Sequence, residues 1–335
     1  VTNRCPICRT QYGEDARFCS RDGSRLVADA RATDLAGQTL DERYEIQRKL
    51  GAGGMSVVYL GTDLRTGAEC AIKVLSPSLT RDRKAMTRLR REAGFGMRLE
   101  HPNICNIIEL VESGNGTVYI VMPFLVGELL VERIHRQGFM ALDRAVQVVQ
   151  DVARGLEAAH ALGIVHRDLK PENIMLSTGD DRRERAVILD FGLAKDPYSG
   201  GADKLTATGI ILGTPEFMSP EQLRGKPLDG RSDIYALALV TFEMLTGQLP
   251  FEGETQQEMM MARLNGAPRT LRQVRPSLRL PAAVDMVLEK ALRRDPNERY
   301  ATAMDFADAF IAVVPDARLT NTPSSPPPRG SAIRS

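Results

Sequence analysis

Three early stretches, 44–50, 57–62 and 70–75, are runs of β-forming residues separated by glycine-bearing turns. Such runs between turns read as strands. From 81 to 99 the pattern is helical, and two further strand-like runs follow at 107–112 and 118–122. After Gly127 the spacing is mostly three and four. Ala145, Val148, Val149, Val152, Leu156 and Ala159 fall on one face of a long helix. More helices are predicted near 231–246, 255–264, 282–293 and 302–313. Strands first and helices after predict an α+β fold, a small β-rich part followed by a large helical one.

The ends differ from this body. Residues 1–27 are short, polar and carry Cys5, Cys8 and Cys19; 28–40 read as a linker, and the folded body as 41–314. In 315–335, Pro323, Pro326, Pro327 and Pro328 stand among Ser and Thr. So little apolar content cannot offset the entropy of ordering, and disorder is expected there. No internal repeat is visible. The 335 residues are 43% hydrophobic and 26% charged, as in soluble globular proteins. A net charge of +1 gives no field that would recruit nucleic acid or an anionic membrane. No apolar run reaches the ~18 residues of a membrane span, and no signal-peptide pattern precedes Cys5. Five cysteines, an odd number, fit a reducing and hence cytoplasmic setting.

The densest chemistry lies in His166-Arg167-Asp168-Leu169-Lys170-Pro171-Glu172-Asn173, with Asp190-Phe191-Gly192 beginning 17 residues after Asn173. Phosphoryl transfer needs oxygen ligands for metal, a cation near the transferred group and a carboxylate to orient the acceptor. Asp168, Lys170, Asn173 and Asp190 supply that set. A glycine-rich turn, Gly51-Ala52-Gly53-Gly54-Met55-Ser56-Val57, lies between the first two predicted strands. Turns of this kind let backbone approach phosphates closely, and are also common without any nucleotide.

These motifs, with Gly213-Thr214-Pro215-Glu216-Phe217-Met218-Ser219-Pro220-Glu221, resemble those of protein kinases. Lys170, two residues after Asp168, resembles the serine/threonine branch, and the Gly-Gly-Met-Ser turn is similar to bacterial members. The resemblance covers nearly all of 41–314. It implies a two-lobed kinase fold, with a β-rich N-lobe over about 41–123 and a helical C-lobe over about 124–314. It also implies ATP and Mg2+, for which Mn2+ can substitute, and protein substrates.

Residue by residue, the resemblance implies that Asp168 orients the substrate hydroxyl and Lys170 neutralises charge at the γ-phosphate. Asn173 and Asp190 hold metal, and Thr214 bonds Asp168 and Lys170. Lys73, after Ala71-Ile72, clamps phosphate and pairs with Glu92. Residues 51–57, Ala71 and the hinge Met122, Pro123, Phe124 and Leu125 contact the nucleotide. Glu221 pairs with Arg299, and Asp233 braces the catalytic loop. Thr206 and Thr208 are expected autophosphorylation sites, gripped by Arg167. Gly94 and Gly96 weaken the helix of Glu92, because each costs about 1 kcal/mol inside a helix. Regulation of that helix is therefore expected, by loop phosphorylation, a partner or a second copy of the chain.

Cys5-Pro6-Ile7-Cys8 followed by Cys19-Ser20-Arg21-Asp22 resembles a zinc ribbon in which Asp22 stands where the fourth cysteine would be. Zn2+ on Cys5, Cys8, Cys19 and Asp22 is expected, because a module this small builds little core. Two other readings compete: a kinase-like scaffold without activity, and an adaptor built on the cysteine module. The filled nucleotide and metal positions argue against the first. Six Arg against five acids through Ala36 give the second no basic footprint for nucleic acid.

Overall fold

The computed structural model describes residues 3–5, 8, 10–12, 16–21, 23–24, 27–28, 34–53, 56–179, 182–191, 215–278 and 280–314. Asp22, Gly54, Met55, Gly192, Thr206, Thr208, Thr214 and the tail 315–335 lie outside the described residues. The chain divides into two compact units, residues 1–86 with 107–124, and 87–106 with 125–335.

In the first unit a six-stranded sheet runs in the order Thr39–Leu40, Tyr44–Ala52, Ser56–Asp63, Glu69–Leu75, Val118–Pro123, Glu109–Glu112. Every neighbouring pair is antiparallel. Tyr44, Ile46, Tyr59, Cys70, Ile72, Tyr119 and Val121 form the buried face. Tyr119 donates its hydroxyl to Asp41 Oδ2 at 2.6 Å, and Ser113 donates to Oδ1 at 2.7 Å. These bonds hold a turn in which Asp41 and Glu42 have φ of 47° and 53°, a region disfavoured for side-chain-bearing residues. The same unit includes a small antiparallel sheet, Gln11–Tyr12, Asn3–Arg4, Val27–Ala28.

The second unit is built around the helices Leu142–His160 and Gly230–Thr246, which pack on each other and on Ala303–Ala312. Leu142–His160 buries the stripe read from its periodicity, from Ala145 to Ala159. Gly230–Thr246 is buried almost all round, as a central helix must be. In a three-stranded sheet, Gly127–Leu129, Ile174–Thr178, Glu184–Ile188, the middle strand follows directly on the loop that ends at Asn173.

The helix bearing Glu92 spans Arg83–Gly96, shorter than the 81–99 read from sequence. Gly96 is its last residue, so only Gly94 carries the interior cost. Residues 87–106 group with the second unit because the loop after the helix is bonded into it. Asn103 Nδ2 donates to the Ala186 carbonyl at 2.9 Å, Cys105 N to Ile188 O at 2.8 Å, and Ile188 N to Asn103 O at 2.9 Å. Among the described residues no helix is long and apolar enough to cross a membrane.

Gly155 lies where the long helix meets this loop. A Cβ there would sit 2.9 Å from the Asn103 carbonyl oxygen and 2.9 Å from Ile188 Cδ1. Gly→Ala in an open helix gains about 1 kcal/mol. Gly155→Ala is expected instead to destabilise by about 1–3 kcal/mol through overpacking. Urea unfolding checks the sign, and a midpoint at or above wild type would show that the helix can shift without loss.

Candidate active site

The catalytic loop is held from beneath. Asp233, on the central helix, accepts the backbone N–H of His166 at Oδ2 (2.8 Å) and of Arg167 at Oδ1 (2.9 Å). His160 Nε2 lies 2.8 Å from the same Oδ2. Arg167 has φ of 67°, which only such over-determination sustains in a residue with a side chain. Its carbonyl accepts Gln222 Nε2 at 2.7 Å. His166 is fully buried, with Nε2 2.9 Å from the Leu189 carbonyl and its ring edge-on to Phe191 at 4.8 Å.

On this base Asp168, Lys170 and Asn173 converge. Asn173 Nδ2 donates to the Asp168 carbonyl at 2.7 Å and to its Oδ2 at 3.2 Å. Lys170 Nζ is 3.7 Å from the same Oδ2. Leu189 N donates to Asn173 O at 2.8 Å, which fixes the residue before Asp190 relative to the loop. Asp190 itself has φ of 54°. The Glu221–Arg299 pair expected from sequence is present: Nη1 reaches Oε1 and Nη2 reaches Oε2, both at 2.7 Å. Burial pushes the Glu221 carboxyl up, but the Arg299 bonds and charge, with the Ser232 hydroxyl, outweigh it and hold the pKa below the ordinary glutamate value. Removing one partner of a buried pair costs about 3–5 kcal/mol.

In the first unit the sheet register sorts the nucleotide candidates by face. Residues directly opposite in a ladder project to the same side. Lys73 is opposite Val58 and Ile120, Ala71 is opposite Leu60 and Met122, and Gly51 is opposite Val58. Gly51, Ala71, Lys73 and Met122 therefore share the face away from the tyrosine-rich core. Gly53 N donates to Ser56 O at 2.8 Å and closes the turn, and Ala52 is opposite Val57. Pro123 ends its strand, with Phe124 next. The division between units falls between Phe124 and Leu125. Glu92 is half-buried on its helix, in the second unit.

Val57 is opposite Val74 and packs against the buried core, on the other face from Gly51, Ala71, Lys73 and Met122, whereas Val58 shares theirs. The spacing of the glycine motif, two residues on from Ser56, could have found it, as could strand parity with Lys73.

Sequence reading also missed Glu243, on the central helix. Its Oε2 is buried and has no hydrogen-bond partner among the described residues. Burial, then the charges of Glu172 and Glu216, push its pKa from the ordinary 4.5 up to about 7.

Cys5, Cys8 and Cys19 have their sulfurs within 4.8 Å of one another. Cys8 Sγ and Cys19 Sγ are 3.5 Å apart. Two thiolates on one tetrahedral zinc, each about 2.3 Å from it, would be about 3.8 Å apart. The backbone N–H of Cys8 points to Cys5 Sγ at 3.2 Å and that of Arg21 to Cys19 Sγ at 3.4 Å, as suits sulfur carrying negative charge.

With this geometry in view, the protein kinase domain family matches residues 44–321. The β-rich first unit and the helical second unit are the small and large lobes of that fold, and the chain belongs to the protein kinase family. It is 33% identical over 302 residues to the serine/threonine-protein kinase pkn3 of Myxococcus xanthus, covering 90% of this chain and 55% of that protein. It is 37% identical over 280 residues to PknB of Mycobacterium tuberculosis, covering 82% and 43% respectively. The chain thus spans about half the length of these relatives. Among solved structures it is similar to the PknI kinase domain of Mycobacterium tuberculosis, with TM-score 0.67 and 29% identity over 84% of this chain and 100% of that one.

Glu243 gives a pH signature. A carboxyl whose folded pKa is raised from 4.5 to about 7 favours the folded state fully below 4.5 and loses that contribution as pH rises through 7. The loss is on the order of 3 kcal/mol. Glu243→Gln is expected to flatten this dependence between pH 5 and 8, relative to wild type, in denaturant titrations. Parallel pH profiles for the two proteins would refute the assignment.

Proposed function

We propose that this chain transfers the γ-phosphate of ATP to serine and threonine hydroxyls of proteins, its own activation segment included. The observation that carries the reading is the convergence of Asn173 and Lys170 on one carboxylate oxygen of Asp168. Asp168 accepts a hydrogen bond from the substrate hydroxyl and aims its oxygen at the γ-phosphorus. The new O–P bond forms as the bridge to the β-phosphate breaks, ADP leaves, and the hydroxyl proton passes to Asp168. Lys170 and Lys73 offset charge on the phosphates, Glu92 orients Lys73, and Thr214 steadies Asp168 and Lys170. Asn173 and Asp190 offer oxygen donors, the set that suits a hard cation such as Mg2+ or Mn2+. A cation held there would offset the negative charge of the phosphates.

Gly51, Ala52, Gly53, Gly54, Met55 and Ser56 cover the phosphates. Among the described residues a Cβ at Gly51 would meet nothing within 4 Å, so their packing gives no reason for glycine there, whereas close approach of a phosphate does. Val58, Ala71, Met122, Pro123, Phe124 and Leu125 contact the adenosine. Cys5, Cys8 and Cys19 hold Zn2+, with Asp22 as fourth ligand, and their thiol state fits a cytoplasmic setting.

Label transfer from radioactive ATP to a generic protein substrate tests the reading. Asp168→Ala is expected to lower the rate by about 10² to 10⁴, and Asp190→Ala by at least as much. Equal incorporation by all three proteins would overturn it, and none by wild type would point to a scaffold that binds without transferring.

Loop phosphorylation rests on Arg167, whose Nε is buried without a hydrogen-bond partner among the described residues. A phosphate carries about −1.5 to −2 charge and pairs well with arginine. Peptide mapping after incubation with ATP is expected to find phosphate on Thr206 and Thr208. The Thr206→Ala/Thr208→Ala variant is expected to lose most activity toward an added substrate. Full activity in that variant would remove the loop as a switch.

A further inference from the structure

The three sulfurs of the cysteine cluster are not equivalent. Cys5 and Cys19 are buried, and Cys8 is partly open to solvent. Each has a hydroxyl beside it: Ser24 Oγ is 3.0 Å from Cys5 Sγ, Tyr12 Oη 3.0 Å from Cys19 Sγ, and Thr10 Oγ1 3.3 Å from Cys8 Sγ. The open sulfur and one buried sulfur, Cys8 and Cys19, are 3.5 Å apart. A disulfide requires about 2.05 Å and two zinc-bound thiolates about 3.8 Å. The observed separation lies between these, so the two sulfurs are in contact but not bonded.

Cys70 and Cys105 lie apart from the cluster, and burial pushes them up to about 11 and about 12. Thr10 hydrogen bonds draw Cys8 down, but burial with the Cys5 and Cys19 sulfurs outweighs them and leaves it raised as well. Thiolates, not thiols, react with peroxides, and a bound zinc would hold its cysteine ligands as thiolates. The cluster therefore combines the accessible sulfur with a second sulfur in contact.

We propose that this cluster is a peroxide-sensitive metal-release site, with Cys8 the oxidised residue and Cys19 the resolving one. The proposal rests on the reading that the cluster holds zinc. Hydrogen peroxide transfers oxygen to the Cys8 thiolate, giving a sulfenic acid and hydroxide. The Cys19 thiolate attacks that sulfur, the S–S bond forms and a second hydroxide leaves. Two thiolates lose two electrons in all, and one peroxide gains them. The disulfide takes two sulfur ligands from the zinc and leaves Cys5 as the remaining thiolate among the three. A module this small relies on its metal for folding free energy, so release converts a chemical signal into local unfolding.

The test uses the full chain, loaded with zinc and cleared of excess metal. Peroxide is titrated in while a chromophoric chelator reports free zinc, and non-reducing peptide mass mapping locates disulfides. About one zinc per chain is expected to appear in step with a Cys8–Cys19 disulfide, and dithiothreitol with added zinc is expected to reverse both. The Cys70→Ala/Cys105→Ala variant is expected to behave like wild type. Zinc retained under excess peroxide, or release with a disulfide through Cys5, overturns the proposal and leaves the zinc reading standing. A chain that takes up no zinc before peroxide is added overturns both.

Discussion

The catalytic loop depends on one buried carboxylate. Asp233 is 1% exposed, and burying a polar group so deep would be costly without hydrogen-bond donors. It has them: two backbone N–H groups of the loop and the His160 ring. The bonds do two things at once. They compensate the desolvation of Asp233, and they hold Arg167 in a left-handed conformation that the local sequence disfavours. That twist turns the chain so that Asp168, one residue on, meets Lys170 and Asn173.

The neighbours of Asp233 extend the same logic. Three consecutive residues of the central helix each bond a different part of the lobe. The Arg231 carbonyl accepts Arg299 Nη1 at 2.9 Å, Ser232 donates to Glu221 Oε1 at 2.7 Å, and Asp233 takes the catalytic loop. Gln222, next to Glu221, closes the circuit by bonding the Arg167 carbonyl. A buried ion pair such as Glu221–Arg299 adds little net stability over an apolar packing. Its four further bonds, from Ser232 to Glu221 and from Arg299 to the carbonyls of Arg231, Arg293 and Arg294, allow only one arrangement of these segments. Geometry, more than stability, is what phosphoryl transfer draws from the scaffold.

What the sequence made legible follows from distance along the chain and from parity. Asp168, Lys170 and Asn173 lie within one loop, so their spacing alone implies convergence. The helix period marked a buried face, and the structure has Ala145 to Ala159 where that period puts it. Glu221 and Arg299 are 78 residues apart, and only resemblance to a family could join them in advance. Reading the glycine motif as a contiguous block put Val57 with the nucleotide candidates, although a strand sends each successive side chain to the other face and Val57 shares the core's. Glu243 was missed because its perturbing neighbours, Glu172 and Glu216, are distant in sequence and brought near only by the fold.

The central helix shows how a largely apolar element carries polar groups. Thr241 Oγ1 donates to the Leu237 carbonyl at 2.7 Å and Thr246 Oγ1 to that of Phe242 at 2.8 Å, so these hydroxyls are satisfied within the helix itself. Ser232 and Asp233 are satisfied by other segments and thereby position them. Glu243 follows neither route: a buried oxygen without a hydrogen-bond partner among the described residues is relieved by taking up a proton. Three solutions to the same desolvation cost thus sit on one helix. Local bonding leaves the fold unaffected by its surroundings, and long-range bonding builds the catalytic loop. Protonation ties the lobe to pH, because it is the one solution that solvent can reverse.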